Sequence, residues 1–261
     1  MQVGVSTSCL FPMETEKALH RIGEMGIDRA EVFLNSPSEA KPEFARLLRS
    51  IADDHGIKVT AIHPYCSEIE GMTFFGRYPR RFDDGIEEYR RMFEVCGITG
   101  AEYLVFHGAK PMLHIDDELY FERYERLMRA GEAMGVTICQ ENVARCVSRD
   151  AGFLKRMREA LPDVSFTFDV KQSIRAGVSV EETIEAMGPN IRRVHISDHR
   201  PDCDCVPPGL GYMNYPKLFK SLKNVGFDGE LMIELYRWNF ASEEELERSS
   251  RFLKELVLQN V

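Results

Sequence analysis

Hydrophobic and polar positions along this chain follow two periodicities that take turns. Short runs dominated by β-branched and apolar residues, flanked by turn formers, read as buried strands. Each is followed by a longer segment with apolar residues at three- and four-residue spacing, the mark of an amphipathic helix. The predicted strands are VGVSTSCLF (3–11), IDRAEVFLN (27–35), IKVTAIHPYC (57–66), AEYLVFHGAK (101–110), VTICQENV (136–143), VSFTFDVKQ (164–172), IRRVHISDH (191–199) and GELMIELY (229–236). Helices are predicted over 14–26, 41–56, 83–97, 116–135, 150–162, 179–188, 215–226 and 242–259. Phe44, Leu47, Leu48 and Ile51 share one stripe of the second helix. Ser242 followed by Glu245 is a capping-box pattern.

Strict alternation of strand and helix implies parallel strands joined by crossover helices. Eight such units close a (β/α)8 TIM barrel, and 261 residues suit one domain of that kind spanning 1–261. An open doubly wound sheet would want a glycine-rich turn after its first strand, and none occurs. The fragment GLGYMN (209–214) has two glycines, but Asn214 stands in place of a third and the run follows a loop.

Six of the predicted strands carry a potential metal ligand near their C-terminal ends: His63, His107, Glu141, Asp169, His195 and Glu234. In a barrel those ends form the catalytic face. Taken singly, a strand-end histidine is more often a hydrogen-bonded core residue, and a strand-end acid a helix cap. Burying Glu141, Asp169 and Glu234 together without a cation would be costly, because like charges disfavour one another's ionisation. With His195 they make a carboxylate–imidazole set suited to Mn²⁺, Zn²⁺, Mg²⁺, Co²⁺ or Fe²⁺. His63 and His107, with Glu141 bridging, offer a second metal site. They serve equally well as neutral partners of a substrate or as packed core histidines.

Composition narrows the field. A net charge of −9 argues against a nucleic-acid partner without excluding a local basic patch. No apolar stretch approaches the roughly 20 residues that span a bilayer. The start lacks the basic and apolar segments of a secretory signal. The seven cysteines are odd in number and scattered, which fits reduced thiols in a cytoplasmic protein. Cys203 and Cys205 read as loop thiols. The stretch 67–84 mixes aromatics with arginines. It is either a lid placing Phe74, Phe75 or Arg77 on a substrate, or a solvated loop with a helix start. Tyr236, Arg237 and Trp238 read as an aromatic wall beside a substrate or as packing against the first helix. No G-x-S-x-G nucleophile elbow occurs.

His63, His107, the QENV run with Glu141, FDVKQ with Asp169, HISDH with His195, the CVPPGLG loop (205–211) and IELY with Glu234 together carry a resemblance. Over nearly its whole length the chain resembles the xylose isomerase-like barrel superfamily. That group includes sugar phosphate isomerases/epimerases, ketose 3-epimerases, inosose dehydratase and endonuclease IV. The resemblance implies one divalent metal held by Glu141, Asp169, His195 and Glu234, with the two glutamates as acid and base. In the endonuclease IV pattern a second zinc uses His63, His107 and Glu141. A third needs a histidine where Gln172 stands and an Asp-x-His where Cys203-Asp204-Cys205 stands, so a trinuclear site is incomplete here. The ketose 3-epimerases also carry a histidine at the Gln172 position, and a glutamate where this chain has Val147.

The expectation is therefore a metal-dependent isomerase or epimerase of a sugar or sugar phosphate, a protein that also suits homo-oligomer formation. Proton transfer would pass through a metal-stabilised enediolate. Lys110 and Gln172 are expected on substrate hydroxyls and Trp238 beside the sugar. Competing expectations are an inosose-type dehydratase, an endonuclease IV-like phosphodiesterase and a non-catalytic sugar-binding barrel.

Overall fold

Eight parallel strands close a ring in the computed structural model, which describes residues 1–259. They are β1 (Gln2–Ser6), β2 (Arg29–Phe33), β3 (Lys58–His63), β4 (Tyr103–Phe106), β5 (Thr137–Glu141), β6 (Ser165–Asp169), β7 (Ile191–Ile196) and β10 (Glu230–Ile233). Neighbours in the chain are neighbours in the ring, and β10 returns to β1. Between β7 and β10, β8 (Asp198–Arg200) and β9 (Cys203–Val206) form a separate antiparallel hairpin. The helices are α1 (Thr15–Glu24), α2 (Pro42–His55), α3 (Glu70–Phe74), α4 (Pro79–Thr99), α5 (Asp117–Glu132), α6 (Ala151–Ala160), α7 (Val170–Ala176), α8 (Val180–Met187), α9 (Tyr215–Asn224) and α10 (Glu243–Gln259). The eight-unit barrel read from hydrophobic alternation is thus the fold.

The departures lie at strand ends, where polar groups turn the chain. The first predicted strand stops at Ser6, and Thr7–Leu10 forms a short 3-10 turn whose entry is capped by the Ser6 hydroxyl. The run 164–172 stops at Asp169, whose carboxylate accepts from Gln172 N–H and so starts α7. The run 191–199 breaks after Ile196, and its tail becomes one arm of the hairpin. On α2 the buried stripe is Ala45, Leu48 and Ala52, while Leu47 faces outward.

The segment 67–84 holds the expected helix start, but its phenylalanines neither face a substrate nor lie in solvent. It contains α3 and the start of α4. Phe74 and Phe75 are buried in an aromatic cluster with Tyr89, Phe106 and Tyr120. Arg77 is exposed.

Two ladder irregularities set the register near the site. One adds Thr60 to β3 opposite the Ala30/Glu31 step of β2. The other adds Arg192 to β7 opposite Phe166/Thr167, after which Asp169 pairs with His195. Extra residues of this kind re-aim the side chains that follow.

Side chains two apart on a strand share a face, and Arg193 and His195 both point into the barrel. Arg193 is fully buried. Its Nη1 donates to Thr60 Oγ1 at 2.9 Å and Glu230 Oε2 at 2.8 Å, and its Nη2 to Glu31 Oε2 at 3.0 Å. This guanidinium is the polar floor of the barrel. Removing one member of a buried ion pair leaves an uncompensated charge, at a cost of about 3–5 kcal/mol. Arg193→Met is therefore expected to lower unfolding free energy by about that amount in urea titrations. An unchanged midpoint would contradict the floor's structural role.

Candidate metal centre

The site grows from that floor. Glu31 Oε2 lies 3.0 Å from His195 Nε2. The carboxylate only accepts, so the imidazole must carry its proton on Nε2. Burial pushes the Glu31 carboxyl up, but His195 and Arg193 beside it outweigh this and hold it at about 2. The other ring nitrogen, His195 Nδ1, faces Glu234 Oε2 at 3.3 Å, Asp169 Oδ2 at 3.7 Å and Glu141 Oε1 at 3.8 Å. Nδ1 is buried without a hydrogen-bond partner, and so is Glu141 Oε2. One ligand atom from each of Glu141, Asp169, His195 and Glu234 lies within 4.8 Å of the others. An imidazole fixed by a carboxylate behind it, with its free nitrogen aimed at three carboxylates, is a donor set that fits a divalent cation. Burial opposes charge on His195, but the carboxylates around it, Glu31 and Glu234 foremost, raise its pKa well above the ordinary value.

Local structure fixes each candidate ligand. Asp169 uses Oδ1 to accept from Gln172 N at 3.0 Å, leaving Oδ2 toward the cluster. Asn142 pins the end of β5 to β6. Its Oδ1 accepts from Asp169 N at 2.6 Å, and its Nδ2 donates to Asp169 O at 2.9 Å. Glu234 follows the last residue of β10 directly.

The most consequential neighbour went unread in the sequence. Lys171 is 3% exposed, and its Nζ forms ion pairs with both Asp169 Oδ2 and Glu234 Oε2. Glu31 was missed as well, hidden inside the apolar run AEVF. A charged residue inside a mostly apolar run, as in RAEVF and FDVKQ, is the signal that each offered.

His63, His107 and Glu141 form an adjoining group. His63 Nε2 and His107 Nε2 are 2.9 Å apart, and His107 Nε2 is 3.0 Å from Glu141 Oε2. Burial, with His107 nearby, pushes the His63 pKa down to about 4, so that ring is neutral near pH 7. Arg145 Nη2 lies 3.3 Å from His107 Nδ1. A guanidinium can only donate, so Nδ1 must accept and the ring proton sits on Nε2. His107 so held carries a proton on Nε2, not a lone pair, beside His63 Nε2 and Glu141 Oε2.

The loop that carries His107 hangs on Glu70, a buried acid of α3. Its Oε2 accepts from the backbone N–H of His107 at 2.7 Å and of Gly108 at 2.8 Å. Gly108 has φ +85°, and a Cβ there would lie 2.0 Å from the Tyr120 hydroxyl, so only glycine fits. The segment 67–84 therefore supports the His107 loop through Glu70.

A cavity of about 420 Å³ opens above the cluster. His63, His107, Glu141, Lys171 and Glu234 line its buried part. Phe33, Gln172, Tyr236 and Trp238 contribute to its walls. Trp238 is 75% exposed and stacks on Tyr236 with ring centroids 4.9 Å apart. Gln172 lines the cavity but spends its Oε1 on Ala144 N at 3.0 Å. Lys110 does not line it. Its ammonium turns to Glu68 at 3.3 Å on the surface, which corrects its expected role on a substrate hydroxyl.

The glycine loop 209–214 binds the chain's own carboxylate: Gly209, Gly211 and Met213 donate their N–H groups to Asp198. All seven cysteines are free, and Cys205 is buried on β9. Among the described residues no helix is long and apolar enough to cross a membrane.

Known proteins resemble this chain in sequence and fold. The family model described as "Xylose isomerase-like TIM barrel" matches residues 19–256. Inosose isomerase of Bacillus licheniformis is 26% identical over 211 residues, covering 72% of this chain and 75% of that protein. A D-tagatose 3-epimerase-like protein superposes with a TM-score of 0.80 at 21% identity, over 98% of this chain and 97% of that one. The IolI protein with a bound zinc atom also gives 0.80 at 21% identity, over 100% and 99%. At such identities the two solved structures speak to the fold alone. The family match spans most of the closed ring, and on that ground the chain belongs to the xylose isomerase-like TIM barrel family.

Proposed function

We propose that this protein is a divalent-metal-dependent isomerase or epimerase acting on a sugar or sugar phosphate. Glu141, Asp169, His195 and Glu234 would hold the ion, and Glu141 and Glu234 would move the proton. One observation carries the reading. Glu31, Glu141, Asp169 and Glu234 are four carboxylates gathered around His195, and the permanent cations paired with them are Arg193 and Lys171. With His195 neutral, as a metal-binding imidazole is, two negative charges are left over in a low-dielectric pocket, where charge is most costly. A divalent cation balances them. The names of the relatives, inosose isomerase and a 3-epimerase-like protein, support sugar chemistry, and the zinc of IolI supports the ion.

The ion, when bound, would draw charge from a substrate carbonyl and make the neighbouring C–H more acidic. The remaining work belongs to the chain. Glu141 ends β5 and Glu234 follows β10, with β6 and β7 between them in the ring. Their carboxylates approach the cavity from different strands, so one takes the proton and the other returns it. Return to the same carbon inverts it; return to the next carbon exchanges aldose and ketose. Glu31 holds His195 in one tautomer throughout. Tyr236 and Trp238 offer a flat apolar surface for a sugar face. One ion is favoured over two, because the Arg145 contact keeps the His107 Nε2 lone pair unavailable.

Two outcomes test this. Incubated in D₂O with a panel of ketoses, aldoses and their phosphates, the protein is expected to place solvent deuterium on a carbon of the product. Glu141→Gln and Glu234→Gln should each slow that exchange by about 10²–10⁴-fold while staying folded. Label-free product would replace proton transfer with a hydride shift, and a keto-deoxy product would identify a dehydratase. Separately, chelation should stop turnover and lower the melting temperature by about 5–10 °C, both restored by Mn²⁺ or Zn²⁺. Turnover that survives exhaustive chelation would remove the ion from the reaction.

A further inference from the structure

Lys171 has no place in the proposed chemistry, yet it is the most deeply committed cation of the cavity. It is 3% exposed, and it stands on the first turn of α7, two residues after Asp169. Its Nζ pairs with Asp169 Oδ2 and Glu234 Oε2. Those are the same two oxygens that face His195 Nδ1, at 3.7 Å and 3.3 Å. The other Asp169 oxygen is already taken by Gln172 N at 3.0 Å. The ammonium therefore sits on the Asp169 and Glu234 oxygens nearest His195 Nδ1, where a cation beside that ring would bind.

From this geometry we infer that Lys171 is an internal counter-ion that a metal must displace. It is a positioning residue: it holds Asp169 and Glu234 together in the metal-free protein and sets how tightly the centre binds its ion. The inference rests on the proposed metal site. Two positive charges cannot share the same pair of oxygens in a low-dielectric site without mutual repulsion. Metal entry must pull Nζ off at least one carboxylate, and Lys171 lines the cavity into which the freed side chain would turn. Without the ammonium, Asp169, Glu234 and Glu141 would repel one another until an ion arrived, and the ion would meet no competitor. The lysine thus weakens metal binding while stabilising the metal-free state.

The test is Lys171→Met, titrated with Mn²⁺ and Zn²⁺ by calorimetry beside the wild type. Lys110→Met at the exposed rim is the control. The expected result has three parts. Metal affinity rises by at least about tenfold in Lys171→Met. The metal-free variant melts below metal-free wild type, while the loaded forms melt close together. Lys110→Met shows neither change. If the metal-free variant does not fold, it is purified with Mn²⁺ and the rate of release to a chelator is read instead, with slower release than wild type expected. Wild type that binds metal, with Lys171→Met binding equally or more weakly, would overturn the role of Lys171 and leave the metal site standing. Absence of binding in both proteins would overturn the metal site and this inference together.

Discussion

Negative charge gathered inside a closed ring is the constraint on which this molecule depends. Glu31, Glu141 and Asp169 are buried at the mouth of the eight-stranded barrel or just beneath it, and Glu234 is half-buried beside them. Carboxylates in such surroundings are tolerated only when cations or hydrogen-bond donors answer them. Much of the local architecture does this. Arg193 answers Glu31 from the floor, Lys171 answers Asp169 and Glu234 from α7, and the backbone N–H of Gln172 answers Asp169. His195 stands at the junction, its Nε2 committed to Glu31 and its Nδ1 left facing the cluster.

The fold was legible because hydrophobic alternation is repeated eight times and each repetition confirms the others. The strand-end cluster was legible for a related reason: parallel strands in a barrel bring their C-terminal ends to one face, so residue type and position along each run suffice. Glu141, Asp169, His195 and Glu234 meet as expected, and His63 and His107 lie beside them. Strand ends were overextended wherever a polar side chain redirected the chain. Ser6 and Asp169 both cap the turn that follows, and apolar content alone does not register a cap.

What stayed hidden was charge buried by tertiary contact. Arg193 lies next to exposed Arg192, and only strand phase separates the one that fills the barrel from the one in solvent. Lys171 was assigned to a strand that ends two residues earlier. The helical turn that begins at Val170 is what carries its ammonium back over Asp169. Lys110 erred in the opposite direction. It follows a ligand-bearing strand end, but beyond Gly108 the chain turns outward and the side chain finds Glu68 on the surface. The aromatics of 67–84 resembled a mobile cover because nothing local showed that Phe74 and Phe75 would join the Phe106 and Tyr120 cluster.

The measurement that bears most directly on the account is X-ray diffraction at the manganese absorption edge from crystals grown with Mn²⁺. The account predicts one anomalous peak per chain, about 2.0–2.3 Å from oxygens of Glu141, Asp169 and Glu234 and from His195 Nδ1. A peak centred among His63, His107 and Glu141, or none at all, would contradict it.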